Sequence, residues 1–159
     1  MQYTILCVGK IKEKFYSDAI AEYRKRLSRY AKINVIEVAD EKTPDRASSL
    51  EEDQIRKREG DRILGKIKDS MYVIALDLQG REYDSLAFAD HLNKCLLQGK
   101  SHIVFVIGGS LGLSPAVLKR ANERISFGRF TLPHQLMRLV LTEQIYRAFT
   151  IINGLPYHK

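Results

Sequence analysis

Short apolar runs alternate along this chain with longer stretches in which apolar residues recur every three or four positions. Gln2–Val8 is a run of the first kind and reads as a buried strand. Lys14–Tyr30 is of the second kind, with Phe15, Ala19, Tyr23 and Leu27 falling on one helical face. Ile33–Val38 reads as the next strand, and Thr43–Ala47, with Pro44, as a loop. Two overlapping capping boxes, Ser48-x-x-Glu51 and Ser49-x-x-Glu52, open a helix expected to run to about Lys68. Its apolar stripe is thin and charge dominates, so a place on the surface is expected.

Met71–Asp77 is a third strand, closed by a turn at Leu78-Gln79-Gly80. A helix follows from about Ser85 to Gln98, with Gly99 to end it. His102–Ile107 is the most apolar strand and is expected to be central. Ser114-Pro115 opens a short helix to about Glu123, Ile125–Phe127 offers a fifth strand, and Gln135 to about Ile152 is the last helix. The alternation predicts one α/β domain, 1–159, with a mostly parallel sheet flanked by helices. Ligands of such sheets bind beyond the carboxyl ends of the strands.

Composition narrows this picture. At 159 residues with 45% hydrophobic positions, the chain is long and apolar enough to fold around a core. The first apolar stretch is short and has its lysines after it, so no signal peptide, no membrane span and a cytoplasmic location are expected. Cys7 and Cys95 form no CxxC or Cys/His pattern, so neither a zinc site nor a disulfide framework is indicated.

Net charge is +7 and unevenly spread. Residues 10–32 carry eight Lys/Arg against three acids, and residues 119–159 carry seven against two. The middle is slightly acidic. Basic ends of this kind fit a polyanionic partner such as a nucleic acid, although a solvated basic helix at 10–32 reads almost as well.

Candidate chemistry concentrates in the last third. The strand Ile103–Ile107 stops at Gly108-Gly109-Ser110-Leu111-Gly112, which is neither GxGxxG nor a P-loop. It reads either as a tight turn or as a place where a ligand approaches the backbone. Ser126-Phe127-Gly128-Arg129-Phe130-Thr131-Leu132-Pro133 mixes glycine with aromatics and runs straight into a helix. Such a stretch can hold a flat heteroaromatic ring by its own N–H and C=O groups. The last helix is apolar almost all round, so it is expected either to be buried in the domain or to be covered in part by a partner chain. Its exceptions are Arg138, turned toward a site, and Glu143 and Arg147, spaced to pair. His134 reads first as a structural helix-start residue, and after that as a general base or an RNA contact. Tyr157-His158-Lys159 combines a stacking ring, a titratable ring and a cation, a set suited to a nucleobase and its phosphate.

Taken in order, these segments resemble one family along the whole chain. They run from Val8-Gly9-Lys10 through Val106-Ile107-Gly108-Gly109, Ser126 to Arg138 and Glu143-Gln144-Ile145-Tyr146-Arg147-Ala148 to Tyr157-His158-Lys159. The chain resembles RlmH-type ribosomal RNA large subunit methyltransferases, minimal members of the SPOUT class. The resemblance implies a C-terminal deep trefoil knot whose loops bind S-adenosylmethionine. It places the cofactor at Leu76, Gly108, Phe127, Gly128, Arg129, Phe130, Thr131 and Leu132. It implies a homodimer with no metal. The implied reaction is methylation at N3 of a pseudouridine in helix 69 of 23S rRNA, within the assembled ribosome.

The catalytic set implied is His158 as proton acceptor or base-edge contact, Arg138, Arg147 and Lys159 as charge stabilisers, and Tyr157 positioning the base. These roles assume a tail that reaches across the dimer. Two rival readings are a non-enzymatic RNA-binding protein and a flavodoxin-like nucleotide binder. The second needs phosphate anchors after the first strand, where Gly9-Lys10 is a poor version.

Overall fold

A computed structural model describes residues 1–159. Five strands and five helices alternate: β1 (Gln2–Val8), α1 (Lys14–Leu27), β2 (Lys32–Val38), α2 (Ser49–Leu64), β3 (Tyr72–Glu82), α3 (Ser85–Leu97), β4 (His102–Ile107), α4 (Pro115–Arg120), β5 (Glu123–Ser126) and α5 (His134–Ile152). The strands form one sheet in the order β2-β1-β4-β3-β5, and every pair is parallel. The expected α/β architecture is therefore present. No helix is long and apolar enough to cross a membrane.

Side-chain alternation along the strands divides the core. Tyr3, Ile5, Cys7, Ile103, Phe105 and Ile107 face α1, α3 and α5 in a cluster of 17 buried residues. Leu6, Val8, Val104 and Val106 face α2 and α4 in a cluster of 8. Both faces are covered, which is why β1 and β4 read as unbroken apolar runs rather than alternating ones.

Helix ends follow their local chemistry. Ser48, not Ser49, closes the capping box: its Oγ accepts from Glu51 N–H, and its own N–H donates to the Glu51 carboxylate. Asp84 caps α3 by accepting from Ala87 N–H at 2.7 Å. Gly99 sits at φ +77 and lets Lys100 N–H reach back to the Cys95 carbonyl.

Several expectations need correction. α1 stops at Leu27 and α2 at Leu64, each giving way to turns. The inward face of α1 is Ile20 and Leu27, whereas Phe15 stays 63% exposed against Tyr16. Glu123 begins β5 instead of ending α4, and Phe127 lies beyond β5. The helix expected on the surface, α2, buries Ile55, Glu59, Gly60 and Ile63 against the second core.

β3 continues past the expected turn, but its register breaks there. Ile125 pairs with both Leu76 and Arg81, so residues 77–80 are displaced between two short ladders. Gly80 lies against β5 so closely that a Cβ would sit 2.6 Å from backbone atoms of Ile125. Only glycine fits such a backbone-to-backbone approach.

Candidate active site

Register alone assembles one edge of the sheet. Ala75 pairs with Val106 and Leu76 with Ile125, so the ends of β4, β3 and β5 lie side by side. Gly108 and Phe127 leave the sheet just beyond β4 and β5, and Leu76 is the last residue of β3 before its register breaks. This is the carboxyl edge at which ligands of parallel sheets bind.

The two loops leaving that edge differ. The loop 108–112 folds on itself: Gly109 and Gly112 form a bridge, with Gly112 at φ +80. A Cβ on Gly108 would stand 2.9 Å from Gly112 backbone, and one on Gly109 would press on Glu59 and Val8. The close approach at these two glycines is made by the protein itself. α2 holds the loop from outside, with Arg56 donating to the Leu111 carbonyl and Gly60 packed beneath Ser114.

The loop after β5 is open. Ser126 Oγ accepts from Gly128 N–H, and Gly128 takes φ +111 with empty space where a Cβ would stand. The N–H groups of Arg129, Phe130, Thr131 and Leu132 make no hydrogen bond within the protein. Phe130 is 87% exposed. Beside this loop lies a cavity of about 420 Å³, walled by Phe127 and Leu132, by Tyr83, Ser85 and Phe88, and by Val140 and Gln144. Apolar faces, a few polar groups and unpaired backbone donors suit a flat heteroaromatic ligand of drug-like size. Tyr83, Ser85 and Gln144 belong to this site and were not legible in the sequence, because only the packing of α3 on α5 brings them together.

The chain's last residues lie on α5 of the same chain. Glu143 Oε1 accepts from Arg147 Nε at 3.0 Å and NH2 at 2.6 Å, and from Tyr157 OH at 3.0 Å. Arg147 NH1 meets His158 Nδ1 at 3.2 Å. Tyr157 packs edge-on against Tyr146, and its hydroxyl lies 3.4 Å from that of Tyr23 on α1. Burial, with the bonds to Tyr23 and Glu143, raises the Tyr157 phenol well above its ordinary range. It therefore stays protonated and acts as a donor. The hydrogen bond to Glu143 also raises the Arg147 guanidinium, fixing its charge. Lys159 is exposed at the end of this cluster.

Arg138 stands apart from it. The side chain is 1% exposed and donates to Glu37 at 2.7 Å and to the Val8 and Gly9 carbonyls at 3.0 and 2.6 Å. α5 starts over the end of β1, so this position turns inward onto β1 and β2 and not toward the cavity by Phe127. Nearby, burial and then the charge of Arg138 lower the pKa of His134.

The fold also gathers His91, Cys95 and Glu123, whose ligand atoms lie within 4.8 Å of one another. Sequence spacing gave no sign of this grouping, because Glu123 arrives from β5. His91 is hydrogen-bonded to Glu123 at 2.6 Å, and the Lys100 ammonium stands 3.8 Å from the Cys95 sulfur, where it opposes a second cation.

Comparison with known proteins follows the same lines. The family described as "Predicted SPOUT methyltransferase" matches residues 1–158. A protein of Limosilactobacillus reuteri named ribosomal RNA large subunit methyltransferase H is 64% identical over 159 residues, covering 100% of both chains. Proteins with the same name from Listeria monocytogenes and Clostridium tetani are 60% and 57% identical, again over 100% of both chains. Among solved structures, a probable methylase family protein from Haemophilus influenzae aligns over 99% of this chain and 70% of its own, with TM-score 0.50 and 13% identity. That last likeness concerns the fold alone.

Proposed function

The chain belongs to the SPOUT methyltransferase family, with RlmH-type relatives along its full length, and on that premise we propose that it methylates ribosomal RNA of the large subunit with S-adenosylmethionine as donor. The observation that carries the reading is the 64% identity, end to end, with a relative bearing that name. The target is N3 of a pseudouridine in helix 69 of 23S rRNA on the assembled ribosome. The protein works in the cytoplasm as a homodimer of single 1–159 domains, each with a trefoil knot formed by the last third of the chain. The partly exposed Leu136, Leu139 and Val140 of α5 suit a partner surface.

The site fits the donor. Phe127 and Leu132 offer apolar faces to an adenine, and the unpaired N–H groups of 129–132 offer hydrogen bonds to its edge. Leu76, Gly108 and the stretch Phe127, Gly128, Arg129, Phe130, Thr131, Leu132 would hold it. When bound, S-adenosylmethionine supplies an electrophilic sulfonium methyl. The protein's part is to align the base and stabilise the N3 anion left once the imide has given its proton to bulk water, and then to keep water from the sulfonium.

Arg147 and Lys159 supply positive charge near the base, and Tyr157 supplies a fixed ring to position it. Arg138, held by Glu37 and two carbonyls, acts by fixing the end of β1. Arginine can only donate, so His158 Nδ1 accepts from Arg147 and a neutral imidazole carries its proton on Nε2. That favours His158 as a base-edge donor over His158 as the proton acceptor.

Labelled S-adenosylmethionine offered with ribosomes that have or lack the helix 69 pseudouridines tests the proposal. Incorporation only into the pseudouridine-containing ribosomes is expected. Equal incorporation into both would refute the target, and absence of donor binding would refute the reaction.

A further inference from the structure

A continuous run of hydrogen bonds joins the cavity wall to the chain's last residues. Ser85 Oγ donates to Gln144 Oε1 at 2.8 Å, and Gln144 Nε2 donates to Glu143 Oε2 at 2.8 Å. The other oxygen of Glu143 takes Arg147 through two nitrogens and Tyr157 through its hydroxyl. Arg147 NH1 then reaches His158 Nδ1. Glu143 is thus the one carboxylate on which the cavity wall, the guanidinium and the tail all converge. Its side chain is only 17% exposed.

The arrangement is more specific than an ion pair. A guanidinium gripped through both Nε and NH2 cannot rotate, which leaves NH1 pointing in one direction. The group at its end is His158 Nδ1, which faces a guanidinium that can only donate. Tyr157 is anchored on the same oxygen, which fixes the ring that precedes His158. Arg26 closes the cluster from α1, lying 5.4 Å from the Tyr23 ring and 5.7 Å from the Tyr146 ring.

We infer that Glu143 is a positioning residue: through Arg147 it locks His158 in the Nε2–H form and through Tyr157 it fixes the tail on α5. The function of the lock rests on the methyl-transfer reading above, whereas its geometry does not. Glu143 touches neither donor nor base. Its effect passes through the two residues it holds, as outer partners orient the groups that do the chemistry. Ser85 and Gln144 keep Glu143 in register with the cavity wall.

The test uses the full chain with 15N-labelled histidine. The His158 resonances are assigned by comparison with His158→Gln, since the chain has four histidines. The wild type is expected to show the Nε2–H tautomer, and Glu143→Gln a mixture of the two. With S-adenosylmethionine and ribosomes, Glu143→Gln is expected to lose at least about tenfold in kcat while donor affinity stays within about twofold. Glu143→Asp, which keeps the charge, should recover part of both signals.

An unchanged tautomer in Glu143→Gln would overturn the lock, and so would an unchanged kcat in an active system. If the wild type itself transfers no methyl group, the reaction assigned above fails, and the tautomer measurement still decides the lock. If Glu143→Gln does not fold, Glu143→Asp with the same spectrum carries the test.

Discussion

The two ends of α5 each carry an arginine paired with a glutamate, and they do different work. At the start of the helix, Arg138 is 1% exposed and ties two strand-end carbonyls and Glu37 together. Toward its end, Arg147 is 25% exposed and holds the chain's last residues. Both guanidiniums lie within 2.7 Å of their carboxylates, so pair geometry does not distinguish them. What each donates to besides the carboxylate does. Arg138 serves two backbone carbonyls, whereas Arg147 serves a half-buried side chain near the chain's end, His158. Burial turns the first into scaffold, and the second keeps a partly exposed guanidinium.

The largest expected effect sharpens this contrast. Arg138→Ala removes a buried cation together with its bonds to two carbonyls and to Glu37, and should cost about 3 kcal/mol or more of stability, read from urea unfolding. That is a large share of an ordinary domain's margin of about 5–15 kcal/mol. Arg147→Ala should reverse the pattern, with about 1 kcal/mol lost in unfolding but roughly a hundredfold lost in methyl transfer. Equal losses of stability at the two sites would break the comparison.

Deleting Tyr157–Lys159 should behave as Arg147→Ala does: donor binding by calorimetry is retained and methyl transfer is abolished. Full activity after truncation would remove the tail from the mechanism. Thr142→Val is a smaller perturbation at the buried end. Its hydroxyl donates to the Arg138 carbonyl at 2.6 Å, and its loss should cost about 1 kcal/mol with no change in donor affinity.

The smallest effect is a dependence on pH. His134, beside Arg138, has its pKa lowered from 6.5, first by burial and then by the arginine's charge. The unfolded chain therefore binds the proton first, and stability falls as pH drops below 6.5 toward the lowered value. His102 is lowered too and adds a slope of the same sign. Urea unfolding across this range should show a shallower slope in His134→Gln, and an unchanged slope would remove the histidine from the account.

Much of this was legible in the sequence. β1 and β4 announced themselves as unbroken apolar runs, because a parallel strand covered on both faces has no polar side to show. Ser48 with Glu51, and Ser114 with Pro115, marked helix starts by local chemistry that tertiary packing does not override. The site was legible in part: of the residues singled out in the sequence, Phe127 and Leu132 line the cavity, whereas Leu76 and Gly108 lie outside its walls.

What stayed hidden depends on contacts distant in sequence. Leu78-Gln79-Gly80 has the composition of a turn, and no local signal says that the strand resumes with Ile125 as a shared partner. Glu59 belongs to a helix dominated by charge, yet it is 4% exposed because its carboxylate accepts from Glu41 N–H and abuts Gly109. Arg138 looked available for a site until the end of β1 was placed under it. Which residues the tail would meet depended on α1 and α5 lying together, and helical spacing cannot give that.

The sheet order has a consequence for how the chain comes into being. β1 is made first, and its neighbours are β2 and β4, with Gln2 aligned to His102. During synthesis one edge of β1 therefore waits for some hundred residues before its partner emerges. That edge belongs to a mostly apolar strand, Gln2 and Thr4 apart, the kind prone to pair with another molecule when left open. Closing so long a loop is slow rather than forbidden, since its entropic cost grows only with the logarithm of its length. A nascent chain halted before residue 102 should therefore be sticky and unfolded, and the order of the strands makes the last third of the gene a condition for the first strand to be safe.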